Sequence, residues 1–94
     1  MIRGILSYNK ENDRYGLLVM DLWEVSGFHC GDTLEVWDNE NDKWLSTRME
    51  MHYQKNSFPR KRNDGWYLVG TSFSGRDLEG LTVRVKKMER KGGN

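Results

Sequence analysis

The fold is decided by the stretch Thr33-Leu-Glu-Val-Trp-Asp-Asn-Glu-Asn-Asp-Lys-Trp-Leu-Ser-Thr-Arg-Met-Glu-Met-His-Tyr53. Apolar and polar side chains alternate on both sides of its acidic centre. An alternation of period two is typical of a strand with one face on the core and the other in solvent. The stretch therefore predicts a β-hairpin in which Leu34 and Leu45 point inward while Trp37 and Trp44 point outward.

The composition favours the same fold class over the rest of the chain. The sequence contains no alanine, but it has 10 Gly, 4 Trp, 4 Tyr and 3 Phe. Alanine is the best helix former, whereas aromatic and β-branched residues prefer strands. Short apolar segments recur about every ten residues between turn residues. We therefore predict an all-β fold, a small, partly open barrel of about five to six antiparallel strands with at most one short helical turn.

One segment departs from this alternation. Asp21-Leu-Trp-Glu24 has the Asp-x-x-Glu spacing of a helix start, and Gly27 is placed where a helix could end. We expect a helical turn there, or a structured connection that packs Leu22 or Trp23 against the core.

Size, charge and apolar content limit the possible functions. At 94 residues the chain predicts a single domain over residues 1–87, followed by a flexible C-terminal tail over residues 88–94. A formal net charge of +1 supplies no global attraction to nucleic acid or membranes. No segment approaches the roughly 20 apolar residues that cross a bilayer, and no signal-peptide core is present. A single cysteine, Cys30, suits a reducing compartment, so we expect a cytoplasmic protein without membrane partners.

Residues that could carry metal or covalent chemistry are few. His29 and Cys30 are adjacent, so they would point to opposite faces of a strand, and zinc needs three or four convergent ligands. A Cys30–His52 nucleophile pair lacks a recognisable orienting group. Segment 38–43 lacks the glycine and glutamate of a calcium loop, and segment 70–75 lacks the lysine of a phosphate-binding loop. We predict no enzyme, no metal, no cofactor and no small-molecule substrate.

Five stretches spread along most of the chain carry a family resemblance: Tyr8–Val19, Phe28–Val36, Thr47–Glu50, Trp66–Gly70 and Leu78–Arg84. They resemble a small family of uncharacterised proteins from Gram-positive bacteria, often carried on phage or conjugative mobile elements. That family has no established activity. The resemblance therefore implies an accessory protein of a mobile element and implies no mechanism.

A second resemblance concerns barrel shape. The pair Gly31-Asp32 leads into a strand, an acidic hairpin follows through Asp42, and Trp44 begins the next strand. This order is similar to that of SH3-like barrels. The chain lacks the Ala-Leu-Tyr-Asp-Tyr-like start and the late Pro-x-x-Tyr that build a polyproline groove. The resemblance therefore implies the barrel and not the binding of proline-rich peptides.

Aromatic residues expected on the outer face favour a protein-binding surface. Trp37, Trp44 and Arg48 are predicted to point outward, and Trp66 begins a later strand. Tryptophan and arginine dominate binding hot spots. The alternative is that the tryptophans close the ends of a small barrel. We hypothesise a non-enzymatic protein-interaction module that binds an unknown protein through Trp37, Trp44, Arg48 and Trp66.

A basic loop provides an alternative function. Residues 55–62 include Phe58, Arg60, Lys61 and Arg62. Cations mixed with an aromatic ring can hold phosphates and stack a base. The near-zero net charge favours the other interpretation, in which the same loop is a solvated surface segment. The alternative hypothesis is a nucleic-acid-binding accessory protein.

Overall fold

The computed structural model describes residues 1–52 and 65–86, which form one antiparallel sheet. The seven strands of the described residues are β1 (Ile2–Asn9), β2 (Arg14–Val19), β3 (Leu22–Val25), β4 (Thr33–Asp38), β5 (Lys43–Met51), β6 (Trp66–Leu68) and β7 (Thr82–Val85). Their one helical element is the 3-10 turn Gly75–Leu78. The predicted all-β class is confirmed. Within these ranges no helix has the length and apolar character to cross a membrane.

The strand order in the sheet is β3-β2-β1-β7-β4-β5-β6, so β3 and β6 are its terminal strands, and Tyr67 of β6 also forms an isolated bridge with Ser74. The last strand, β7, lies between β1 and β4 and joins the first half of the sheet to the β4–β5 hairpin. The β4–β5 pairing runs the whole length of β4, from Thr33↔Arg48 to Asp38↔Lys43. The pairing between β4 and β7 is much shorter, and the sheet opens beyond it.

One face of the sheet forms the core. The largest fully buried side chains come from most of the strands and from the 3-10 turn: Tyr15, Leu6, Leu17, Met49, Leu68, Leu78, Val36 and Val83. Fully burying such an aliphatic side chain contributes about 1.5–3 kcal/mol each. The hydroxyl of Tyr15 donates to the carbonyl oxygen of Gly75 at 3.0 Å, which ties β2 to the 3-10 turn through the interior.

The segment expected to be helical is instead the edge strand β3. Leu18 lies opposite Trp23 and Val19 opposite Leu22, so β3 runs back antiparallel to β2 after a two-residue turn. Both turn residues, Met20 and Asp21, have positive φ (53° and 68°), as in the tight turns that match strand twist. The immediate chain reversal gives this segment β2 as its hydrogen-bonding partner, which outweighs the local helix-start signal.

The exposure of β3 corrects the expected packing as well. Leu22 is 72% exposed and Trp23 is 39% exposed, so neither is a core residue. β3 also brings the number of strands to seven, above the predicted five to six. The predicted tail over residues 88–94 lies outside the described residues.

Candidate functional site

Trp37 and Trp44 lie directly opposite each other on the β4–β5 hairpin. Their ring centroids are 5.3 Å apart at an interplanar angle of 68°, which is an edge-to-face contact. The indole nitrogen of Trp37 donates to Oδ1 of Asn39 at 2.9 Å. A cross-strand aromatic pair adds about 0.2–1 kcal/mol to a hairpin, so the two rings are held in a defined geometry.

The two indoles lie on the outer face of the sheet. Leu34 and Val36 are buried at 4% and 0% exposure, and Leu45 packs against the same core. Trp37 and Trp44 are half-buried and belong neither to the core cluster nor to the partly buried residues that pack against it. The predicted inward and outward orientation of this hairpin is therefore confirmed, and the pair does not extend the core.

Arg84 of β7 supplies the cation beside the tryptophans. Its guanidinium carbon is 4.2 Å from the ring centroid of Trp44, and its Nε donates to Oε1 of Glu35 at 2.6 Å. Its side chain is 30% exposed. The alternation of β7 could have placed Arg84 on the outer face. Its position over Trp44 depends on the Glu35↔Arg84 register, which no local pattern reveals.

Arg48 lies on the outer face but away from the indole pair. It is opposite Thr33, about 13 Å along β5 from Trp44 at roughly 3.3 Å per residue. Its side chain is 52% exposed, and its Nε lies 2.9 Å from Oε2 of Glu50. The structure thus places Arg48 as an exposed ion-pair partner at the far end of the same strand.

Trp66 does not join this surface. It is 4% exposed and lies in the core cluster, with its indole nitrogen donating to the carbonyl oxygen of Asp13 at 3.2 Å. The guanidinium carbon of Arg14 lies 5.5 Å from its ring. In the short strand β6, Trp66 and Leu68 share the inward face. Grouping Trp66 with the exposed tryptophans was therefore wrong, because its place in β6 turns it toward the core.

The remaining candidate residues fall outside this surface or outside the described ranges. Phe58, Arg60, Lys61 and Arg62 belong to the segment that the structure does not describe. Cys30 is exposed. Within residues 1–52 and 65–86, no group of three histidine, cysteine or carboxylate side chains is arranged to hold a metal ion.

A groove of about 350 Å³ adjoins the indole pair. Trp37 and Phe73 contribute aromatic surface to it, Leu45 and Leu81 contribute aliphatic surface, and residues 38–40 contribute polar groups. The groove thus combines aromatic, aliphatic and polar lining at the turn end of the β4–β5 hairpin.

Hydrogen bonds within the β4–β5 turn stabilise an ionised carboxylate. The side-chain amide of Asn41 donates to Oδ2 of Asp38 at 2.8 Å, and the backbone N–H of Glu40 donates to Oδ1 at 3.0 Å. The Asn41 bond is the main cause that lowers the pKa of Asp38 below its ordinary value, with the nearby charge of Lys43 contributing less. The turn that carries the indole pair is therefore internally ordered.

The comparisons with known proteins agree with the fold and assign no activity. The family model described as "Domain of unknown function (DUF5348)" matches residues 4–85. A crystal structure of a protein from Ruminococcus gnavus, a structural-genomics target, is similar with 33% sequence identity and a TM-score of 0.64. The similarity covers 88% of this chain and 99% of that chain. No curated protein matches the chain.

Proposed function

The chain belongs to the DUF5348 family of domains of unknown function, and we propose that it acts as a non-enzymatic protein-interaction module. The observation that carries this proposal is the pair Trp37 and Trp44, which contact each other on the outer face and take no part in the core. Tryptophan and arginine are the residues most enriched among those that dominate binding energy. Arg84 completes that composition on the same face.

Contacts within the surface already order its side chains, which lowers the conformational entropy lost when a partner binds. Asn39 holds the Trp37 indole through a hydrogen bond, and Arg84 packs on the face of Trp44. Side chains that are already held lose less conformational entropy when a partner covers them, and each ordering event otherwise costs about 0.5–1.5 kcal/mol. A defined aromatic pair on a fully paired hairpin therefore suits specific recognition.

The groove beside Trp37 offers a place for an anchoring side chain. It is a half-open groove of about 350 Å³. Trp37 and Phe73 supply the flat apolar surface that an aromatic or aliphatic anchor would cover. We therefore propose that a partner protein inserts such an anchor beside the indole pair.

The experiment is capture of partners by the purified protein, followed by mass spectrometry and binding measurements with the identified, purified partner. Trp44→Ala is expected to weaken that binding by at least tenfold, since hot-spot truncation costs about 2 kcal/mol or more. The matched control is Trp23→Ala, which removes another partly exposed indole, 39% exposed, from the distant edge strand.

Circular dichroism and thermal unfolding establish that each variant keeps the fold before binding is compared. Equal affinities for wild type and Trp44→Ala, with the fold intact, would contradict the proposal. Equal losses in Trp44→Ala and Trp23→Ala would contradict it as well, because the effect would then not be specific to the indole pair.

Two finer proposals rest on the sequence resemblances. The first is that the module serves as an accessory protein of a phage or conjugative element in Gram-positive bacteria. Its proposed place in the cytoplasm rests instead on the single cysteine. The second proposal is that its open sheet is related to SH3-like barrels, without the residues of a polyproline groove. The nucleic-acid alternative, through Phe58, Arg60, Lys61 and Arg62, remains a proposal with a separate test.

A further inference from the structure

The sheet separates where the pairing between β4 and β7 ends. Glu35↔Arg84 and Val36↔Val83 are the residue pairs that join these strands. Beyond Glu35, β4 continues to Thr33 in full pairing with β5 but without pairing to β7. Among residues 1–52 and 65–86, the edge of β4 that faces β7 has no strand partner at Thr33 and Leu34, and an unpaired strand edge can pair with another extended chain.

A cleft of about 340 Å³ occupies this opening. Thr33 and Leu34 line the β4 side, Val85 and Lys86 line the β7 side, and Met1 borders it. Leu34 and Val85 are buried, at 4% and 5% exposure, and the cleft therefore combines two strand edges with an apolar base.

The charge around the cleft is positive. Arg84 and Lys86 line it, and Arg3 stands opposite Arg84 on β1. Glu35 is the acidic side chain in the lining, and it is already paired with Arg84. Within residues 1–52 and 65–86, neither Arg3 nor Lys86 forms a salt bridge.

Arg84 is held in a position to receive an anion. Trp44 supports one face of its guanidinium, and Glu35 accepts the Nε–H. A guanidinium also carries donors on its two terminal nitrogens, and no side chain or carbonyl of the described residues accepts a hydrogen bond from them. A carboxylate placed there would gain charge-assisted hydrogen bonds from a side chain that has already been ordered.

We propose that the cleft between β4 and β7 binds an extended acidic segment of the partner protein. The segment adds its backbone to the free edge of β4, and one of its carboxylates binds Arg84. This inference rests on the proposed function and names the chemistry of the partner. Backbone pairing supplies affinity, while Arg84 and Lys86 select negative over positive side chains.

A peptide fits this site better than a nucleic acid. Thr33 and Leu34 present a strand edge, which pairs with backbone amides and has no counterpart in a sugar–phosphate chain. The carboxylate of Glu35 lies in the cleft and would repel successive phosphates. Binding of nucleic acid to the same residues is therefore an outcome that would overturn the inference.

The probe is a capped peptide of alternating glutamate and valine, about six residues long, the usual length of a strand. Its titration into the isotope-labelled full chain is followed by amide resonances in NMR spectra. We expect the largest shifts at Thr33, Leu34, Val85 and Lys86. A peptide with lysine in place of glutamate is the charge-reversed control and is expected to bind at least tenfold more weakly.

Two variants test the cations. Arg84→Met is expected to lower the affinity of the glutamate–valine peptide about tenfold, because a charge-assisted pair of hydrogen bonds is lost. Arg76→Met, which changes an exposed arginine of the 3-10 turn outside the cleft lining, is the matched control and should bind the peptide as wild type does. If Arg84→Met does not fold, Lys86→Glu reverses an exposed charge and is expected to weaken binding at least threefold.

Several results would overturn the inference: equal binding of both peptides, largest shifts away from the cleft, unchanged affinity in Lys86→Glu, or displacement of the peptide by oligothymidylate. Failure here is distinguishable from failure of the proposed function. If Trp37→Ala no longer captures the partner and the peptide does not bind the wild-type chain, the indole-pair surface is supported and the cleft site is contradicted. If the peptide binds and Trp37→Ala captures the partner as wild type does, the proposed function of the Trp37–Trp44 pair is contradicted instead.

Discussion

The side chain of Arg84 reaches across a neighbouring strand to Trp44, with 4.2 Å between its guanidinium carbon and the ring centroid. Glu35 explains the geometry, because it lies opposite Arg84 on one side and opposite Ser46 on the other. Arg84 therefore lies one strand away from β5 and contacts the indole diagonally. The contact joins β7 to the β4–β5 hairpin at the point where backbone pairing between β4 and β7 is short.

Replacing Arg84 by methionine is expected to lower the free energy of unfolding by about 1–2 kcal/mol. The substitution removes a cation–π contact and leaves the half-buried Glu35 without its partner. Urea unfolding followed by tryptophan fluorescence measures the change. Arg48→Met, which breaks an exposed pair with Glu50, should cost no more than about 0.5 kcal/mol. Equal losses in the two variants would contradict a special role of the Trp44 contact.

Gly16 permits the close approach of β2 and β3. A Cβ atom there would lie 2.3 Å from the carbonyl oxygen of Val25, so the backbone of β3 would have to move. We expect Gly16→Ala to lower the free energy of unfolding by about 2–3 kcal/mol and to weaken hydrogen-exchange protection in β3. Gly70→Ala is the comparison: it meets open space at φ +79° and should cost only about 1 kcal/mol. If Gly70→Ala lost more free energy of unfolding than Gly16→Ala, the strain of positive φ would be a larger effect than the close approach of β2 and β3.

The turn between β2 and β3 is built from residues that rarely adopt its conformation. Met20 and Asp21 have φ of 53° and 68°, and Met20 is 89% exposed. Asn-Gly is the preferred sequence for such a turn. The double change Met20→Asn with Asp21→Gly is therefore expected to stabilise the protein by about 1 kcal/mol, measured as a rise in Tm. Met20→Lys removes the exposed apolar group without favouring positive φ, so it should leave Tm unchanged. If Met20→Lys raised Tm as much as the double variant does, the conformational explanation would be contradicted.

The lowered pKa of Asp38 predicts a pH-dependent contribution to stability. Because the pKa is lower in the folded chain, the stabilisation is present above the unfolded pKa and is lost as pH falls through the folded pKa. Asn41→Ala removes the principal hydrogen bond and is expected to raise the pKa of Asp38 toward its ordinary value. The chemical shift of the Asp38 carboxyl carbon, followed by NMR as the pH is changed, measures this pKa. Asn39→Ala, whose side chain contacts Trp37 instead, should leave that pKa where it is in wild type.

The nucleic-acid alternative predicts binding that depends strongly on salt. If Arg60 and its basic neighbours hold phosphates, the affinity for single- or double-stranded probes should fall steeply with salt concentration. Arg60→Ala should lower the affinity and reduce the salt slope by about one. Lys10→Ala, a surface change in the β1–β2 turn, is the control. Absent or salt-insensitive binding to both kinds of probe, measured by fluorescence anisotropy, would remove this alternative.

Local patterns predicted the β4–β5 hairpin because period-two alternation is a property of each strand by itself. Leu34 and Leu45 face the core, and Trp37 and Trp44 face outward, as the alternation indicates. A short strand contains too few residues for the alternation to show which face is buried. Trp66 lies in a three-residue strand, and its burial reflects where β6 packs beside Met49 and Met51.

The amino-acid sequence by itself determined the all-β class, the existence of the β4–β5 hairpin and the face on which the indole pair lies, because strand propensity and side-chain alternation act between residues that are close in the chain. The tertiary structure decided that the cation on Trp44 is Arg84 and not Arg48, that Leu22–Val25 is an edge strand, and that a cleft opens beside β4. These features depend on which remote strands become neighbours and in what register. Register is settled by the backbone hydrogen bonds and core packing of the whole sheet, so no single segment contains it.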